Sequence, residues 1–134
     1  MQVDLGDLNP GTWFEMTGGG KISLRVCSGD AFREIRKKTV QKKAELKPIG
    51  RTNTLQRIEY EVVDDDLQSQ LIWEYCIVDW SDLLDKNLNQ IACTNENKKL
   101  LMGQSVVFSK FVTDCLDKLR ISMEGEQEEE PEKN

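Results

Sequence analysis

The sequence predicts an α+β fold that is mainly helical, with an N-terminal β-hairpin and room for a third short strand. Apolar residues alternate with polar ones just after the glycine run 18–20, which is the period of a strand. In 105–122 they recur at spacings of three and four, which is the period of a helix. A chain of 134 residues with three tryptophans and four phenylalanines is long enough for one core of this kind.

The hairpin is predicted from two short runs on either side of the three glycines. The first run is 12–17 and the second is 21–26, where every other residue is apolar. One face of the second run should therefore cover a core, and Ser23 should lie on the other, polar face. Two strands alone are marginal in water, so the hairpin should pack on helices or pair with a third strand, for which 57–63 is the candidate.

The first helix is predicted over 30–46, with Ser28 as its cap and with Pro48 and Gly50 ending it. Its apolar positions are few, and lysines and arginines take most of the others. This helix should be a solvated, basic surface.

A second helix is predicted to start at the acidic triplet 64–66, where carboxylates cap the chain and favour the positive helix end. Its apolar stripe runs through 67–76, and the apolar pattern continues as far as the polar turn 85–90. Trp73 and Trp80 lie seven residues apart, so in one uninterrupted helix they would share a side.

Two more helices are predicted near the C-terminus. Thr94 should cap a short helix over 96–102, and Gly103 should interrupt the chain before the last helix, 105–122. The last helix has a broad apolar face that includes Phe108 and Phe111, and a face of this width needs a sizeable partner.

The domain organisation follows from these elements. Residues 1–10 form a lead, 11–122 a single globular domain and 123–134 a disordered acidic tail. No stretch is long and apolar enough for a membrane span, and the first residues lack the pattern of a secretory signal. We therefore expect a cytoplasmic protein with no membrane partner.

The residue types argue against an enzyme. The chain contains no histidine, the most frequent proton-transfer group near neutral pH and the most frequent transition-metal ligand. The glycine run lacks the Lys-Ser/Thr of a phosphate loop, and the acidic triplet is explained by helix capping. We expect no catalytic residues, no metal site and no cofactor.

The four cysteines contain no C-x-x-C pair and are predicted to be free thiols in a reducing compartment. A disulfide framework and a zinc site are the two alternatives.

The charge balance bears on the class of partner. Formal net charge is -6, and the basic strip that includes Lys37, Lys38, Lys42 and Lys43 has no aromatic residues between its charges. Nucleic acid is therefore not favoured, although a small nucleic-acid-binding regulator remains an alternative. The acidic tail would raise solubility.

Five segments in a fixed order resemble small tail-assembly proteins of long-tailed bacteriophages and prophages. They are 11–14, 24–26, the basic 32–38, the Ile-Val-Asp-Trp segment 77–80 and the Cys-Thr-Asn-Glu-Asn-Lys segment 93–98. In chaperones of this group, an Ile-Val-Asp-Trp-like segment precedes a polar turn, and a Thr-x-Glu-Asn-Lys segment leads into the last helix. The resemblance covers roughly residues 11–120 and rests on order and spacing.

The resemblance implies a non-catalytic chaperone that keeps the tape-measure protein soluble while tail-tube subunits assemble around it. The alternative within binding proteins is a minor structural or connector component of the virion, and a homo-oligomer is left open. The expected partner-binding residues are aromatic anchors with basic residues for orientation. They are Trp73, Trp80, Phe108, Phe111, Arg36, Lys37 and Lys38.

Overall fold

A computed structural model of the chain describes residues 9–51 and 53–127. The strands are β1 (Thr12–Glu15), β2 (Lys21–Leu24), β3 (Val40–Pro48), β4 (Leu55–Val63) and β5 (Ile77–Ser81). The helices are α1 (Gly29–Thr39), α2 (Asp65–Cys76), α3 (Asn95–Gln104) and α4 (Val106–Gln127). The α+β prediction is confirmed, but strands form two small sheets and a larger share of the chain than "mainly helical" implied.

The chain divides into two compact units where the sequence predicted one globular domain over 11–122. The first unit combines the residues up to Ser28 with those from Trp73 onward, and the second is Gly29–Ile72. Of the predicted acidic tail, residues 123–127 are the end of α4 and so are helical. The remainder, 128–134, lies outside the described residues, as does most of the predicted lead.

The first unit contains a three-stranded antiparallel sheet in the order β1-β2-β5. The predicted hairpin is confirmed, and the main-chain nitrogen of Met16 donates to the carbonyl of Gly20 at 2.9 Å across its turn. The third strand of this sheet is not 57–63. It is β5, whose first residues Ile77 and Val78 are β-branched and suit a strand.

The same correction separates the two tryptophans. α2 ends at Cys76, and Trp80 lies on β5, so no uninterrupted helix carries both indoles. The start of α2 agrees with its prediction, because the Asp64 carboxylate accepts from the main-chain nitrogen of Leu67 at 3.1 Å.

A core of buried residues lies between this sheet and the last two helices. Its members are Ile22, Leu24, Ile77, Trp80, Met102, Phe108, Val112 and Cys115. Ser23 is also buried, contrary to the polar face predicted for it, because the backbone at Gly11 covers that side. A side chain built at Gly11 would come within 2.7 Å of the Ser23 hydroxyl.

The two C-terminal helices follow their prediction with one exception. The Thr94 hydroxyl caps α3 by accepting from the main-chain nitrogen of Asn97 at 3.1 Å. Gly103, however, lies inside α3, and the break falls at Ser105, whose backbone is extended. The Ser105 hydroxyl then accepts from the main-chain nitrogen of Phe108 at 3.2 Å and so caps the start of α4.

In the second unit, the predicted helix 30–46 is wrong beyond Thr39. The Thr39 hydroxyl donates to the carbonyl of Ile35 at 3.0 Å in the last turn of α1, and the chain continues as β3. β3 pairs with β4 in an antiparallel ribbon of nine residue pairs, from Val40 opposite Val63 to Pro48 opposite Leu55. This long-range pairing overrides the helix-forming residues of 40–46, a common outcome because propensity is a weak prior.

Candidate protein-binding groove

An apolar cavity of about 270 Å³ opens on the surface of the first unit. We call it the groove. Eleven residues line it, and most of them are apolar. They are Met16, Thr17, Gly19, Leu83, Leu84, Ile91, Leu101, Ser105, Val107, Phe108 and Phe111.

Three parts of the first unit form the walls. The turn between β1 and β2 contributes Met16, and the segment that follows β5 contributes Leu83, Leu84 and Ile91. The end of α3 and the first turns of α4 supply the remaining wall. The groove therefore depends on folding of the whole unit, because its walls are far apart in the sequence.

The floor of the groove is held by an aromatic pair. The rings of Trp80 and Phe108 meet edge to face, with centroids 5.8 Å apart and an angle of 81° between their planes. The indole nitrogen of Trp80 donates to the carbonyl of Ile91 at 2.7 Å. Trp80 thereby ties β5 to the segment that forms one wall.

That wall is a closed loop with its own hydrogen bonds. The main-chain nitrogen of Ile91 donates to the carbonyl of Leu83 at 2.8 Å and closes the base of the loop. At its tip, the Asp85 carboxylate accepts from the main-chain nitrogens of Asn87 at 2.8 Å and Asn89 at 3.0 Å. This turn holds Leu88 in the left-handed region (φ 65°) with 77% of its surface exposed.

Side chains at the rim are unusually exposed for their type. Val107 is 82% exposed and Leu84 44% exposed, although both line the groove. Val106, the neighbour of Val107 in the first turn of α4, is 80% exposed and lines a different depression. The two valines lie in the same turn of α4 and are similarly exposed, but Val107 lines the groove and Val106 does not.

The groove offers shape and apolar surface rather than reactive groups. Among the described residues that line it, none carries an ionisable side chain. An apolar concavity with few polar groups is suited to holding apolar side chains of a ligand.

The four cysteines are free, as predicted, and all belong to the first unit. Burial raises the pKa of each thiol, and that of Cys76 reaches about 11. Thiols of this kind remain protonated at neutral pH, so they are poor nucleophiles and poor metal ligands.

The predicted aromatic anchors lie in the first unit but differ in burial. Phe108 and Phe111 line the groove, and Trp80 supports it from the core. Trp73 is partly buried against the same core. Direct contact with a partner is therefore available to Phe111, whereas Trp80 and Phe108 are nearly enclosed; partner binding by these residues stays a prediction.

The predicted basic anchors lie on α1 in the second unit. Arg36 is 3.5 Å from the Glu61 carboxylate, and Lys37 is 3.4 Å from that of Glu34. Lys38 follows on the same helix. Acidic neighbours therefore offset part of the positive charge of this surface, which weakens the case for a phosphate-binding strip.

The rim residues Leu84 and Val107 were not among the predicted contacts. The sequence predicts Val107 on the apolar face of the last helix. The apolar pattern does not show that the first turn of this face is exposed while the following turns are buried. In the sequence, Leu84 continues the apolar pattern of the preceding helix, and this pattern does not predict a position on a loop wall.

Two further properties concern the part of the chain that the structure describes. Within 9–51 and 53–127, no three or more cysteine, aspartate or glutamate residues gather as they would to hold a metal ion. None of the helices in these ranges combines the length and apolar character that a membrane crossing needs. Comparison with family models, with curated proteins and with solved structures gave no match.

Proposed function

We propose that the protein is a non-catalytic protein-binding factor that uses the groove to cover apolar segments of another chain. The observation that carries this proposal is the open apolar groove, with Val107 and Leu84 exposed on its rim. Exposed apolar surface of this kind around a concavity is typical of a protein-interaction site.

The dimensions of the groove suit side chains rather than a whole strand or domain. About 270 Å³ accommodates a few large aliphatic or aromatic side chains, such as those that one face of an amphipathic helix presents. Because the lining carries no charge, the groove would select for apolar character and shape and would tolerate different sequences. These are the properties expected of a chaperone that holds a long chain at many places.

The biological setting of the proposal comes from the resemblance to phage tail-assembly proteins. In that setting the partner is the tape-measure protein, with tail-tube subunits as further partners, and the site of action is the cytoplasm of the bacterial host. A net charge of -6 supports such a role, because like charge keeps complexes with an apolar client dispersed.

The test is co-expression with a phage tape-measure protein, scoring the soluble fraction and co-purification of the client. Wild-type protein should raise the soluble fraction, and Val107→Asp should abolish the effect because it puts a charge on the groove wall. Val106→Asp is the matched control, since it has the same exposure and the same helix turn but faces away from the groove.

The outcomes separate the possibilities. Equal loss in both variants would show that the charge acts on α4 in general, and the groove would then not be the binding site. No rescue by the wild-type chain would favour the virion component, which mass analysis of purified particles detects directly.

A further inference from the structure

Among the residues that the structure describes, the ribbon of the second unit leaves one edge of each strand unpaired. β3 and β4 pair with each other and, among the described residues, with no other strand. A two-stranded ribbon is marginal in water, and unpaired edges are templates for another strand. The ribbon nevertheless runs for nine residue pairs, longer than any strand of the first unit.

The pattern of main-chain hydrogen bonds shows which residues of β4 direct their N–H and C=O groups away from β3. The main-chain nitrogen of Asp64 donates to the carbonyl of Thr39, the pair that precedes Val40 and Val63 in the ladder. Because bonded pairs alternate in an antiparallel ladder, the even-numbered residues of β4 bond to β3. The odd-numbered residues, from Leu55 to Val63, therefore direct their main-chain groups to the open edge.

The open edge of β3 is protected and that of β4 is not. By the same alternation, Pro48 occupies an outward position of β3, where it supplies no N–H group. Lys42, Lys43 and Lys47 give this strand an excess of positive charge, a common protection against edge pairing. β4 has no proline, and its charges are of both signs.

We propose that two copies of the chain pair through β4 in antiparallel orientation, with Ile58 opposite Ile58 of the second copy. In this register Arg57 of each copy lies opposite Glu59 of the other. Two Arg–Glu ion pairs therefore form across the seam. All four of these residues direct their main-chain groups outward, as a hydrogen-bonded seam requires.

The neighbouring registers are disfavoured by charge. Sliding the second copy by two residues in one direction places Glu59 opposite Glu59, so this register adds one like-charge pair to its two Arg57–Glu61 pairs. Sliding it in the other direction places Arg57 opposite Arg57 and leaves no opposite-charge pair. Sliding by one residue places odd-numbered residues of one copy opposite even-numbered residues of the other. The main-chain groups of the even-numbered residues already bond to β3, so the seam could not form its hydrogen bonds. The backbone phase and the charges therefore select the same register.

Pairing also joins the apolar surfaces of the two copies. Ile58, Tyr60 and Val62 share one face of β4, and Ile58 and Tyr60 are exposed. In the four-stranded sheet β3-β4-β4-β3, these side chains from both copies form one continuous apolar strip. A sheet of four strands is also more stable than the isolated ribbon.

The test is sedimentation velocity of the full-length protein over a hundredfold range of concentration. The wild-type chain should reach the mass of a dimer and stop there. Arg57→Glu and Glu59→Arg should each place like charges across the seam and weaken the dimer by roughly tenfold or more. The double variant Arg57→Glu/Glu59→Arg restores opposite charges in this register alone and should recover the wild-type dimer.

A charge reversal on the other strand is the matched control. Lys47→Glu changes β3, has a similar exposure and should leave the dimer unchanged. Loss of the dimer in this variant would assign the contact to β3 and overturn the proposal. So would a wild-type chain that stays monomeric throughout, a mass that keeps growing beyond two chains, or a double variant that stays monomeric.

A cross-linking readout fixes the register independently of charge. Ile58 lies on the two-fold axis at a non-bonded pair, where Cα atoms are about 4.5 Å apart, within disulfide range. Under oxidation, Ile58→Cys should give a covalent dimer at a yield above that of the wild-type chain. Gln56→Cys, which lies opposite Tyr60, should not, and equal yields would rule out this register.

Discussion

Replacement of Trp80 by phenylalanine tests whether the aromatic floor organises the groove. The change removes the indole N–H that bonds the carbonyl of Ile91 at 2.7 Å, and it removes part of the edge contact with Phe108. The Ile91 carbonyl is only partly buried, so loss of its donor costs about 1 kcal/mol, and the atoms lost from the core add about 1 kcal/mol. We expect Trp80→Phe to lower the free energy of unfolding by about 2 kcal/mol.

The assay is urea unfolding followed by far-ultraviolet circular dichroism. Trp13→Phe is the control, because that indole is 52% exposed and its replacement should change stability by less than about 0.5 kcal/mol. If the two variants unfold at the same urea concentration, the Trp80–Ile91 bond does not hold the wall and the account of the floor is wrong. Partial loss of client rescue by Trp80→Phe, under conditions where it remains folded, is the functional counterpart.

The remaining predictions concern the backbone and a buried thiol. Gly18 and Gly20 both have positive φ, but only at Gly20 would a Cβ meet main-chain oxygens within 3.0 Å, so Gly20→Ala should cost at least about 1 kcal/mol more than Gly18→Ala in urea unfolding. Leu88→Asn should stabilise the protein by about 0.5–1 kcal/mol, because asparagine tolerates the left-handed backbone, and a melting temperature that falls would contradict this. For Cys76, burial raises the pKa from 9.0 to about 11, so the folded state keeps a proton that the unfolded chain releases. The free energy of unfolding is therefore highest below pH 9 and falls as pH rises to about 11. Between pH 9 and pH 11 the wild-type chain should lose about 2 kcal/mol more than Cys76→Ala, measured by urea unfolding at each pH.

Elements that local signals define were predictable from the sequence. The hairpin has a glycine turn and a period of two, and the helices over 95–104 and 106–127 have caps and an apolar period of three and four. Thr94 and Asp64 cap the helices that their positions indicated. In each case the residues that decide the structure lie within a few positions of it.

The strands that the sequence missed depend on distant partners. Residues 40–46 are lysine-rich and suit a helix locally, yet they pair with β4, a strand that begins only at Leu55. The sequence predicts helix over β5 because its apolar residues continue the stripe of α2, and only pairing with β2 makes this segment a strand. The groove could not be foreseen for the same reason, because its walls come from segments whose adjacency is a product of the fold.

The described backbone positions that adopt unfavourable conformations are concentrated around the groove. Asp82 and Leu88, the non-glycine residues with positive φ, both belong to the segment that follows β5 and forms one wall, and the glycine turn forms another. Such conformations cost of order 1–3 kcal/mol each and persist where the surrounding structure or a function maintains them. Asp85 maintains Leu88 through its hydrogen bonds to the loop, and the result is a leucine displayed to solvent near Leu84. Folding alone does not favour a strained, exposed leucine, so Leu88 supports the proposal that this part of the surface binds another protein.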